Sequence, residues 1–145
     1  MLKDLVTTAI EDGRFGRLLL AIGQAGLAEQ LSEIDGITIF APIDQAFVRL
    51  ASESPYKYNA DVTGIRELLL SHVVKGRVTF ADLRTLKRLE TMRGNIIEIS
   101  CDPDVVRIGG SQVLVADIVA NNGIIHIIDR VLPITAIARA DYLAF

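Results

Sequence analysis

The chain has 145 residues, of which 50% are hydrophobic and 23% charged, with a mean hydropathy of +0.38; about one well-filled core is expected, and a disordered or collagen-like chain is excluded. With 15 basic against 18 acidic residues and a pI near 5.3, the charge carries no footprint for nucleic acid or an anionic membrane. The single cysteine, Cys101, rules out an internal disulfide, and no apolar run approaches the roughly 18 residues needed to span a bilayer.

At the N-terminus, Met1 to Thr8 carries an acid and polar residues where a signal peptide would be apolar, so no leader is expected in the chain as given. From Leu5 to Leu31 apolar residues recur at three- and four-residue steps, broken at Gly13 and Gly26, which predicts two or three short helices. Ile37-Thr38-Ile39-Phe40, bounded by Asp35-Gly36 and Pro42, predicts a short buried strand. Pro42 fixes φ and removes a donor where that strand must stop, and Asp44 is placed to cap a following helix that ends at Ser54-Pro55. The helical pattern returns from Ile65 to Val74, with Thr63 as its cap. Thr79 with Asp82 three residues on predicts a loose capping box opening a helix that ends before Gly94.

After Gly94 the period changes to two. Asn95–Cys101, Val105–Ile108, Gln112–Val119 and Ile124–Leu132 are β-branched runs separated by turn residues. Asn121-Asn122-Gly123 is the strongest turn signal, because Asn-Gly tolerates the positive φ of a tight hairpin turn. In the last run, alternation sets Ile124, His126 and Ile128 on one face and Ile125 and Ile127 on the other. There are no internal repeats. The pattern is an α+β domain with leading helices and a meander of strands that closes in antiparallel β-hairpins. Residues 135–145 form an apolar tail ending in Tyr142, Leu143 and Phe145, able to dock or to support a weak homodimer.

Thr38-Ile39-Phe40-Ala41-Pro42-Ile43-Asp44-Gln45-Ala46-Phe47 resembles the first signature of the fasciclin domain family. The segment Leu68 to Gly76 resembles that family's central helix with its histidine, here His72, and Leu89 to Gly94 resembles its entry to the sheet. Ala116 to Pro133, with Asn122, Gly123, His126 and Asp129, resembles its closing hairpin. The resemblance covers about residues 4 to 134, so residues 1–134 are expected to be a single fasciclin-like domain, and it implies an α+β fold with N-terminal helices packed on a mainly antiparallel β-sheet wedge or sandwich with C-terminal β-hairpins. There are two departures: Ser71 stands where the family commonly has tyrosine, and Pro133 follows Leu132 where relatives often insert another apolar residue.

The resemblance implies a non-enzymatic adhesion or interaction module that binds a protein or polysaccharide at a cell surface or in a matrix, in a secreted, periplasmic or cell-surface setting. The lack of any Asn-x-Ser/Thr sequon tilts this toward a bacterial envelope protein. In animal relatives integrin-binding sequences centre on an Asp-Ile pair before the closing hairpin; Asp117-Ile118 stands at the matching place, although a plain strand position is the favoured reading. Arg84, Lys87 and Arg88 fall at helical steps, and one positive face could hold acidic polysaccharide or phospholipid headgroups; the plainer reading is a solvated face. His72 lies among Leu68, Leu69, Val73 and Val74, and His126 between isoleucines, so both read as packed, hydrogen-bonded histidines. The alternative for His72 is a small-molecule pocket, or an unrecognised active site, beside the Phe40-Ala41-Pro42 turn.

The sequence contains no nucleophile motif, Walker loop or dinucleotide fingerprint, and no ligand-spaced set of metal-binding residues. No catalytic residue, cofactor or metal is therefore expected. The lone Cys101 reads as an inert small hydrophobe.

Overall fold

The computed structural model describes residues 3–53, 62–102 and 105–132. The tail 135–145 lies outside them, as does the Ser54-Pro55 break. The helices are α1 (Leu5–Asp12), α2 (Gly16–Ala25), α3 (Ala28–Glu33), α4 (Asp44–Glu53), α5 (Val62–Leu70) and α6 (Phe80–Thr85). The strands are β1 (Ile37–Pro42), β2 (Val73–Lys75), β3 (Arg88–Glu90), β4 (Ile96–Asp102), β5 (Val105–Ile108), β6 (Ser111–Ala120) and β7 (Gly123–Ile128).

The N-terminal helices start and stop where local chemistry dictates. Asp4 caps α1 by accepting from Thr7 N at 2.7 Å, and Gly13 and Gly26 end α1 and α2 with φ of 87° and 70°, a backbone that side chains disfavour. Asp44 is the first residue of α4, and its Oδ1 accepts from Arg17 N at 2.7 Å. It therefore serves an orphan donor at the start of α2 rather than acting as the N-cap of its own helix. Thr63 lies inside α5, one residue past its start, instead of capping it.

The helical pattern expected to run to Val74 stops at Leu70. Ser71 N shares the Glu67 and Leu68 carbonyls, Ser71 Oγ takes the Glu67 carbonyl, and His72 N reaches back to Leu69 O. These bonds tighten and close the last turn. Val73–Lys75 then pairs antiparallel with β1 as an added strand. The capping box of α6 is present as expected: Asp82 N donates to Thr79 Oγ1 and Thr79 N to Asp82 Oδ2. That helix ends early, at Thr85, and Arg88–Glu90 forms the edge strand β3.

The sheet has seven strands in the order β2-β1-β7-β6-β5-β4-β3. All pairings are antiparallel except β1 with β7, which run parallel from Ile37↔Gly123 to Pro42↔Ile128. Every residue of β1 and β7 is buried, as expected of a strand pair covered on both faces. On one face Ile37, Ile39, Ala41, Ile125 and Ile127 pack with Leu5, Phe15, Leu18, Ile22, Leu27 and Leu31 from α1–α3 and their links. On the other, Phe40 and Ile128 pack with Val74, Leu83, Ile97, Ile99, Val106, Ile108 and Leu132. Two cores thus share one wall.

The Asn-Gly turn departs from its expected geometry. Asp117 is the only non-glycine among the described residues at positive φ, so neither turn residue between β6 and β7 adopts it. Gly123 is needed for another reason: a Cβ there would overlap the carbonyl oxygen of Ile37 on β1.

Candidate functional site

The described residues hold three polar constructions that the sequence does not display as such. The first is Asn122. Its Oδ1 accepts from Leu5 N at 2.9 Å, and its Nδ2 donates to Leu31 O at 2.8 Å and Ile34 O at 2.9 Å. Its carbonyl accepts from Gly36 and Ile37. A residue read as a turn former instead joins the start of α1, the end of α3 and the entry to β1. At the other end of the hairpin, Asp129 closes the strands by accepting from Gln112 N at 2.9 Å.

The second is His72, in the turn between α5 and β2. Its Nδ1 donates to Leu68 O at 2.8 Å and its Nε2 accepts from Leu132 N at 2.8 Å, which fixes the neutral tautomer. Burial pushes its pKa down to about 4, against the pull of the Leu68 carbonyl. With both ring nitrogens taken and the ring buried, His72 has no atom to offer a partner. The void beside it, lined by Leu18, Ile22, Leu31, Ile39, Leu69 and Val73, measures about 10 Å³, room for one water molecule at most. A ligand pocket at His72 has no space.

The third construction lies on the surface, around Asp117. Val113 and Ile118 on β6 are five positions apart, whereas their partners Ile128 and Ile125 on β7 are three apart, so β6 bulges between them. Asp117 sits in the bulge at φ 59°, a left-handed conformation that aspartate tolerates better than most residues. Its amide donates to His126 Nδ1 at 3.2 Å, and its Oδ1 accepts from Phe80 N, at the start of α6, at 2.9 Å. His126 donates through Nε2 to Val78 O at 2.7 Å and stacks on Phe40, with centroids 5.7 Å apart. It is thus the opposite neutral tautomer to His72, and burial again lowers its pKa, opposed by the Val78 carbonyl and the Asp117 charge.

Within the bulge Leu114 and Val115 are 46% and 37% exposed, and Val119 beyond it is 51% exposed. Phe80, Val113, Leu114, Ala116 and Asp117 line an open hollow of about 310 Å³. Asp117 is exposed, whereas Ile118 turns inward onto the helical core, so the Asp-Ile pair is split between surface and interior. It is also not a plain strand position.

The basic residues do not form one helix face. Arg84 is in α6, Lys87 in the link after it, and Arg88 in β3 opposite Glu98. Cys101 is exposed on β4 rather than tucked into the core. Among the described residues no three His, Cys, Asp or Glu side chains gather as a metal site.

Helices packed on a mixed sheet in which β1 and β7 run parallel, closed by a long bulged hairpin, define a fold with known members. The chain superposes with a TM-score of 0.65 on a FAS1 domain pair from the insect cell adhesion molecule fasciclin I, at 22% identity, covering 84% of this chain and 46% of that one. The family profile of the fasciclin domain matches residues 13–134, and the chain belongs to that family. An uncharacterised protein of Synechocystis sp. is 34% identical over 131 residues, 90% of this chain and 98% of that protein. The pig transforming growth factor-beta-induced protein ig-h3 is 33% identical over 121 residues, 83% of this chain. Human periostin is 33% identical over 107 residues, 73% of this chain. The chain spans only 18% of the former's length and 13% of the latter's.

Proposed function

We propose that the chain is an adhesion-type interaction module, acting outside the cytoplasm, that binds a protein partner through the outward face of the β6 bulge. The observation that carries this reading is the open hollow lined by Phe80, Val113, Leu114, Ala116 and Asp117, where the exposed Leu114 shares a surface with the Asp117 carboxylate. An exposed apolar lining with one fixed charge suits a protein surface better than a polysaccharide. Membership of the fasciclin family and the fold shared with an insect cell adhesion molecule support it. No described helix is long and apolar enough to cross a membrane. Neither buried histidine is available for chemistry, which favours binding over catalysis.

Beads coated with the chain and mixed with suspended cells test this, with alginate-coated and collagen-coated surfaces as matrix arms. Cell capture should be abolished by protease treatment of the cells and should fall about tenfold in a Leu114→Ser/Val119→Ser variant. Capture by alginate alone, or capture indifferent to that variant, would refute the assignment. Both positions are exposed, so the unfolding free energy should stay within about 0.5 kcal/mol of the parent.

A further inference from the structure

We propose that His126 is a proton-operated latch on the β6 bulge, so that acid reshapes the contact surface at Asp117. The inference rests on the reading of that surface as the binding face, and it concerns how the face is held. His126 is fully buried, yet it is one hydrogen bond away from an exposed residue. Its Nδ1 can accept from the Asp117 amide only while that nitrogen carries no proton. Its Nε2 is already committed to Val78 O. A second proton must therefore sit on Nδ1, where it faces the Asp117 N–H, and two donors then meet.

Relief is available within the same residue. The Asp117 carboxylate, now on Phe80 N, can turn to the imidazolium and give a charge-assisted bond. That turn takes the amide away from the ring, frees the first N–H of α6, and lets the backbone leave its φ of 59°. The rearranged segment is the bulge that carries the exposed Leu114 and Val115.

The surroundings leave this exchange to Asp117. From β1 the ring meets Phe40, and from the link before α6 the Val78 carbonyl. Arg77 in that link pairs with Asp35 at 2.8 Å, and Asp82 in α6 is held in its capping box. On the chain just past β7, Asp129 accepts from Gln112 N. On β6, Asp117 is the charge that acts on the ring.

The test is a titration of the ¹⁵N-labelled full chain from about pH 7 to about pH 4. The His126 ring nitrogens and the Asp117 and Phe80 amides should move together with one midpoint, whereas the Leu132 amide, bonded to His72, should move only with the His72 titration near pH 4. Asp117→Asn keeps an acceptor for Phe80 but removes the charge, and should move that midpoint to lower pH by about one unit. Asp117 and Phe80 amides that stay fixed until the whole protein unfolds, or that move with a midpoint different from His126, would overturn the latch. Bead capture measured over the same range should fall with that midpoint. A latch that moves without altering capture would stand as a latch and refute the binding face instead.

Discussion

Each of the buried polar side chains Asn122, His72 and His126 joins segments distant in sequence, so their removal should cost more than their size implies. Asn122→Ala leaves the Leu5 amide and the Leu31 and Ile34 carbonyls without their partner. A loss of about 3 kcal/mol is expected in urea unfolding, since each unsatisfied buried group costs about 1–3 kcal/mol. Gly123→Ala fails for a different reason, overlap with Ile37 O across the parallel pair, and should cost about 3 kcal/mol or more or abolish folding. Circular dichroism of the two variants separates the effects. Asn122→Ala should unfold cooperatively at lower urea, whereas Gly123→Ala should lose the sheet signal.

Among the elements, two expectations were wrong for one physical reason: tertiary pairing overrode periodicity. Val73–Lys75 and Arg88–Glu90 lie in segments whose spacing fits helices, but each becomes an edge strand because an open strand, β1 or β4, lies beside it. The helix breaks at Gly13 and Gly26, the capping box of α6 and the four closing strands were legible, because they depend on neighbours in sequence. The roles of Asn122 and Asp44 were not, since Leu5, Leu31 and Arg17 come near only in the folded chain. The contact surface at Asp117 was legible as a motif but not as a shape, for the bulge exists only in the register of β6 on β7. Asp44→Ala should weaken the seating of α2 on α4 by about 1 kcal/mol, the usual cost of a lost cap, and Thr79→Ala should cost about as much at α6. Hydrogen exchange should show the first loss as faster exchange of the Arg17 amide and the second as faster exchange of the Asp82 amide.

For the molecule as a whole, the two histidines set the response to acid. Both have folded pKa values below the unfolded value, so the unfolded chain takes up protons that the folded chain refuses. Stability is therefore fully present above the unfolded pKa of about 6.5 and falls as pH drops below it, by up to about 1.4 kcal/mol per pH unit for each histidine. For His72 the fall continues to about pH 4, where its folded form also titrates. Urea midpoints measured from neutral pH downward should trace this slope. His126→Gln, which carries a donor and an acceptor but does not titrate, should flatten part of it.

The parallel pairing of β1 with β7 governs when the protein can form at all. Ile37 meets Gly123 and Pro42 meets Ile128, so the wall shared by both cores is completed by two strands distant in sequence. A nascent chain that has yet to expose β7 leaves β1 paired on one side only, with neither core closed. Folding must then await the synthesis of β7, as expected when the decisive contacts are distant in sequence. A chain passing through a translocation channel would stay threadable until β7 emerged.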